Sequence, residues 1–75
     1  MPEQPIDPTR YRVTLISPRT SAYTVGYGPT KEEAEGQARG FYVRDIDEDF
    51  GAATRIVEEA VVYDAAGSSR YEDVA

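Results

Sequence analysis

Gly26-Tyr27-Gly28-Pro29-Thr30-Lys31-Glu32-Glu33-Ala34 holds a strand end, a tight turn and a helix start in one short stretch. Thr30 stands at the N-cap position and Glu33 lies three residues on, which is the spacing of a capping box. The Thr30 hydroxyl is placed to accept from the Glu33 N–H, and Glu32 and Glu33 fall in the first turn, where the helix dipole favours negative charge. Turn and cap chemistry account for the glycines, for Pro29 and for Thr30. The segment therefore reads as the corner that sets a helix against a preceding hairpin.

Upstream, Tyr11-Arg12-Val13-Thr14-Leu15 alternates apolar and polar, ending at Ile16, and Tyr23-Thr24-Val25-Gly26-Tyr27 alternates in the same way. A period of two with β-branched and aromatic residues predicts half-buried strands. Ser17-Pro18-Arg19-Thr20-Ser21 between them predicts a hairpin loop. The expected core face carries Tyr11, Val13 and Leu15 on one strand and Tyr23, Val25 and Tyr27 on the other. The opposite face, with Arg10, Arg12, Thr14 and Thr24, is expected to be polar and mildly basic.

Downstream, a helix is predicted from Lys31 to about Arg44. Ala34, Ala38, Phe41, Tyr42 and Asp45 form one stripe of a 3.6-residue period. Gly36 and Gly40, spaced i and i+4, suggest close backbone approach along that helix, the alternative being that they simply mark a weak helix. Asp45-Ile46-Asp47-Glu48-Asp49-Phe50-Gly51 is an acidic connector, with Ile46 and Phe50 expected to cover the edge of the core. Arg55-Ile56-Val57-Glu58-Glu59-Ala60-Val61-Val62-Tyr63 is rich in β-branched residues and reads as a strand rather than a helix. A bulge near Glu58-Glu59 would reconcile its imperfect alternation. A turn at 65–68 and a short last strand over 69–74 follow, with Tyr71 and Val74 packing inward. The expected architecture is α+β: a small antiparallel sheet with one helix packed on one face, in the order β-β-α-β(-β). Residues 1–9 hold Pro2, Pro5 and Pro8 and read as a flexible tail, and residues 10–75 as a single domain.

The composition removes several chemistries. No cysteine and no histidine are present among the 75 residues. Thiolate ligands, thiol nucleophiles, disulfides and imidazole bases are therefore absent, which argues against most zinc sites and against Ser-His or Cys-His catalysis. The expectation is a protein that is not an enzyme and holds no cofactor. Asp45, Asp47 and Asp49 have the spacing of the first three ligands of an EF-hand loop. Phe50 stands where that loop needs glycine and Ile56 where it needs a bidentate glutamate, so a solvated charged loop is the preferred reading. No apolar run approaches the ~20 residues that span a bilayer, and Met1–Arg10 lacks an apolar signal core, so no membrane contact and a cytoplasmic location are expected.

The net charge is −6 and unevenly distributed: residues 1–30 carry +1, 31–50 carry −4 and 51–75 carry −3. Such a balance repels phosphate backbones and suits a protein partner with a basic surface. The residues expected to meet it are Glu32, Glu35, Asp45, Asp47, Glu48 and Asp49.

Gly26-x-Gly28-x-Thr30-Lys31-x-x-Ala34-Glu35-x-x-Ala38 resembles the last strand and second helix of a double-stranded-RNA-binding domain, whose helix N-terminus carries a lysine cluster for phosphates. Lys31 alone matches that cluster, while Glu32 and Glu35 stand where positive charge is wanted. The capped, alanine-rich helix start is also similar to small antitoxin domains of the HicB type. These resemblances imply an alternative in which Arg10, Arg12, Lys31 and Arg55 contact nucleic acid. The leading expectation is a small acidic protein-binding module, such as an inhibitor or accessory protein of a phage or mobile element. A homo-oligomeric module, such as a homodimer pairing through an exposed strand edge, is a further alternative.

Overall fold

The structure is a computed structural model that describes residues 7–46 and 54–74. Strands β1 (Tyr11–Ile16) and β2 (Tyr23–Gly28) form the expected hairpin. Helix α1 (Lys31–Phe41) follows, its last turn widening into a π-helical stretch over Tyr42–Ile46. Strands β3 (Arg55–Tyr63) and β4 (Ser69–Asp73) complete the chain. The sheet runs β2-β1-β3-β4 with every neighbouring pair antiparallel, and α1 packs on β2 and β1. This is the α+β architecture expected from the sequence.

Local chemistry explains the corners. Thr30 Oγ1 accepts from the Glu33 N–H at 3.2 Å and caps α1. Ser17 Oγ accepts from the N–H groups of Arg19 and Thr20 at 3.2 and 3.4 Å, organising the first hairpin loop. Asp64 Oδ1 accepts from the N–H groups of Ala66 and Ser68, each at 2.9 Å, and Gly67 takes the positive φ of +85° that the second hairpin turn requires.

The facing of β2 is opposite to expectation. Its register against β1 pairs Gly28 with Tyr11, Gly26 with Val13 and Thr24 with Leu15. Gly28, Gly26 and Thr24 therefore share the helix side with the buried Val13 and Leu15. Tyr23, Val25 and Tyr27 turn to the other face, where Tyr23 is 66% and Tyr27 40% exposed. The cause is steric. A Cβ on Gly26 would lie 2.2 Å from Ala34 O and 2.4 Å from Ala38 N, and one on Gly28 would lie 2.8 Å from Ala34 N. Helix backbone rests directly on strand backbone, and a tyrosine there would hold α1 away from the sheet. Neither glycine has a positive φ, so turn chemistry does not account for them. Close approach belongs to the strand glycines and not to Gly36 and Gly40, which have nothing within 4 Å of a built Cβ. Thr24, expected on the opposite face, donates its hydroxyl to Ala38 O at 2.9 Å and pins helix to strand.

The core comprises Val13, Leu15, Ala34, Ala38 and Tyr42, with Tyr11 and Ile46 packed against it. The small residues of α1 sit over the glycines, and Tyr42 fills the wider space beyond them. Ile46 covers the core's edge as expected, while Phe50 lies outside the described residues; Asp45, the last position of the expected stripe, is exposed.

Strand β3 carries no bulge. Its register against β1 is unbroken from Tyr11↔Ala60 to Ile16↔Arg55. The acids that interrupt its alternation are matched by bases: Glu59 pairs with Arg12, and Glu58 lies 3.9 Å from the Lys31 ammonium. Residues 7–9, read from sequence as tail, are tied to the sheet. The Tyr71 hydroxyl donates to Thr9 O, and Tyr63 Oη donates to Asp7 Oδ2 at 3.5 Å.

Candidate protein-binding surface

The strand alternation that sends Gly26 toward the helix sends a set of rings to the opposite side. On that open face stand Tyr23, Val25 and Tyr27 of β2, Arg12 of β1, Val57, Glu59, Val61 and Tyr63 of β3, and Tyr71 of β4. At its centre Arg12 and Glu59 form a bidentate pair, Nε to Oε1 at 3.0 Å and Nη2 to Oε2 at 2.8 Å. The pair is partly shielded, with side-chain exposures of 33% and 16%. The hydrogen bonds that Arg12 donates to Glu59 hold its guanidinium charged, raising its pKa further above the usual arginine value. The Arg12 guanidinium carbon lies 4.2 Å from the Tyr71 ring centroid, and the Tyr71 and Tyr27 centroids are 6.1 Å apart with planes tilted by 57°. The two rings thus lean together over a neutralised ion pair, in the edge-tilted geometry aromatic pairs favour.

Beside this cluster, Asp7, Arg10, Val61 and Tyr63 line a shallow open pocket of about 290 Å³. The Thr9 backbone N–H and hydroxyl both donate to Asp7 Oδ1 at 2.8 Å. These bonds, the backbone one foremost, hold the Asp7 carboxyl below its ordinary pKa.

The bases of the nucleic-acid reading do not converge. Arg12 is engaged by Glu59, Lys31 lies on the helix side of the sheet near Glu58, and Arg55 pairs across from Ile16 at the far end of β1 from Arg10. Arg10 and Arg55 are thus separated by about 20 Å of strand. The face expected to be mildly basic is aromatic and close to electrically balanced. Among the acids of the protein-binding reading, Glu32 is exposed on α1 and Glu35 is half-buried. Asp45 is exposed and engaged by Arg44, Nε to Oδ1 at 2.8 Å, and the hydrogen bond holds its pKa low. Asp47, Glu48 and Asp49 lie outside the described residues.

Among the described residues no group of three or more acidic, His or Cys side chains is arranged to hold a metal ion, and no helix is long and apolar enough to cross a membrane. The tyrosines of the open face are the surface that sequence reasoning missed. The available signal was the Thr24, Gly26, Gly28 alternation, which marks the side of β2 where another backbone must approach.

No family model matches the chain, and no curated protein or solved structure is significantly similar to it.

Proposed function

We propose that this chain is a non-enzymatic protein-binding module that contacts a basic partner protein through the open face of its sheet. The observation that carries this reading is the exposure of Tyr23, Tyr27 and Tyr63 on a face that α1 leaves uncovered. Tyrosine supplies large rigid apolar area with a hydrogen-bonding tip, and it is enriched where proteins meet. The rings also accept lysine and arginine side chains through their faces. The net charge of −6 supplies the long-range term, drawing a partner of opposite sign and speeding encounter. Exposed Glu32 and Glu33 contribute to that field from the helix side.

The test is comparative capture from an extract of the native host on immobilised protein. The expected result is a basic protein retained by the wild type, released by about 0.5 M salt, and not retained by a Tyr23→Ser/Tyr63→Ser variant. Equal retention by both proteins would overturn the reading, as would a captured species that is removed by nuclease.

A further inference from the structure

We infer that β4 is a self-complementary edge and that a second copy of this chain pairs with it antiparallel about a two-fold axis at Tyr71. The inference is independent of the open-face reading and begins with the direction of backbone groups. Asp64 N donates to Ser68 O at 2.9 Å and Val74 N donates to Glu58 O at 3.1 Å. In an antiparallel ladder bonded pairs alternate with non-bonded ones. The β3–β4 register therefore turns Arg70 and Glu72 toward β3 and leaves the N–H and C=O groups of Ser69, Tyr71 and Asp73 pointing outward. These three positions are symmetric about Tyr71.

The other edge of the sheet is closed differently. By the same alternation, Tyr23, Val25 and Tyr27 point their backbone groups away from β1, and the Tyr27 N–H is taken by Gln37 Oε1 at 2.8 Å. The helix side chain thus occupies one of the outward N–H groups of that edge. Strand β4 is the outermost strand at the opposite side, and no proline interrupts it.

Charge selects the register. Centred on Tyr71, an antiparallel partner places Ser69 opposite its Asp73, Tyr71 opposite its Tyr71, and Arg70 opposite its Glu72. The arrangement forms about six new backbone hydrogen bonds, two for each outward-facing pair. Arg70 and Glu72 already pair within the chain, Nη2 to Oε1 at 2.8 Å, and both are largely exposed. In the dimer each finds the same chemistry across the axis, so both cross-strand positions carry opposite charges. A shift of register by one residue would abolish this match and turn the outward-facing groups out of phase. Pairing of this kind is isologous and closed, so it stops at two copies.

The experiment is sedimentation velocity on the full chain from about 10 to about 500 μM, where mass action moves an edge-paired dimer. The wild type is expected to rise from 8.3 kDa toward twice that mass. Arg70→Glu alone places like charges opposite one another, and so does Glu72→Arg alone; each is expected to stay at 8.3 kDa. An equimolar mixture restores both opposite-charge pairs between chains, although neither chain keeps its internal pair, and dimer mass returns. Asp73→Pro removes one outward N–H without touching the β3–β4 ladder and is also expected to be monomeric. A wild type that stays monomeric throughout overturns the inference. So do single-charge variants that dimerise like the wild type, and a mixture that fails to recover.

Discussion

Gly26 shows how much one absent side chain decides. A methyl group there would sit 2.2 Å from Ala34 O and 2.4 Å from Ala38 N, both backbone atoms of a helix that cannot yield locally. Overpacking typically destabilises by about 1–3 kcal/mol, and a clash with backbone belongs at or above the top of that range. Gly26→Ala is therefore expected to lose about 3 kcal/mol or more, read as a lower urea midpoint, and to release the Thr24 to Ala38 hydrogen bond. A loss below about 0.5 kcal/mol would contradict the backbone-on-backbone contact. Glu59 is the second position where one residue settles its surroundings. Glu59→Gln leaves the shielded Arg12 guanidinium without its counter-charge beneath Tyr71. Hydrogen bonds to charged groups contribute about 1.5–3 kcal/mol, and partial solvation of Arg12 places this loss near about 1–2 kcal/mol. Thermal unfolding measures it, and an unchanged midpoint would mean the pair contributes nothing net.

At the scale of elements, α1 is held by its surroundings more than by its own sequence. Gly36 and Gly40 weaken it from within, yet neither meets anything within 4 Å. Replacing each by alanine removes backbone entropy from the unfolded chain and adds helix propensity, worth up to about 1 kcal/mol per site. Gly36→Ala and Gly40→Ala are expected to raise the urea midpoint additively, opposite in sign to Gly26→Ala, and a fall at either site would show a contact on that helix face. The elements themselves were legible in the sequence because their signals are local. Thr30 and Glu33 mark the helix start, Gly67 and Ser68 the second turn, and the β-branched run from Ile56 to Val62 the third strand. The phase of β2 was not, because a glycine-lined face looks empty in a hydrophobicity pattern while tyrosines look like core. What turns those tyrosines outward is the backbone of a helix that lies later in the chain. The straight course of β3 was hidden in the same way. Glu58 and Glu59 break its alternation in isolation, and their partners Lys31 and Arg12 come from other elements.

For the whole molecule, a core of five buried apolar residues among those described leaves little margin, as expected of a chain this short. Peripheral ties therefore count, and Asp7 makes the clearest one. Its carboxylate accepts from the Thr9 N–H and hydroxyl and from Tyr63 Oη, and Thr9 O in turn accepts from Tyr71. Arg10 O accepts from Val61 N at 2.8 Å, so residues 7–10 are joined to β3 and β4. The pKa of Asp7 is lowered in the folded protein, chiefly by the Thr9 backbone bond, from an ordinary value of 3.8. A depressed folded-state pKa means that the unfolded chain takes up the proton more readily. The contribution of Asp7 to stability is therefore fully present above pH 3.8 and is lost as pH falls through its lower folded value. Asp7→Asn removes the charge and keeps the shape, and general charge repulsion is nearly common to both proteins. The variant is expected to have the lower urea midpoint at neutral pH, and the two midpoints are expected to converge as pH falls through the folded-state value of Asp7. A gap that persists at low pH would assign the effect to packing at the site, and no gap at neutral pH would show that the segment before β1 does not depend on this carboxylate. Because Tyr63 and Tyr71 both bond to this segment, the same titration reports on the open face. Loss of the Asp7 charge weakens the acceptor that anchors Tyr63 there, and a change in Tyr63 ring resonances that tracks the stability curve is the expected spectroscopic signature.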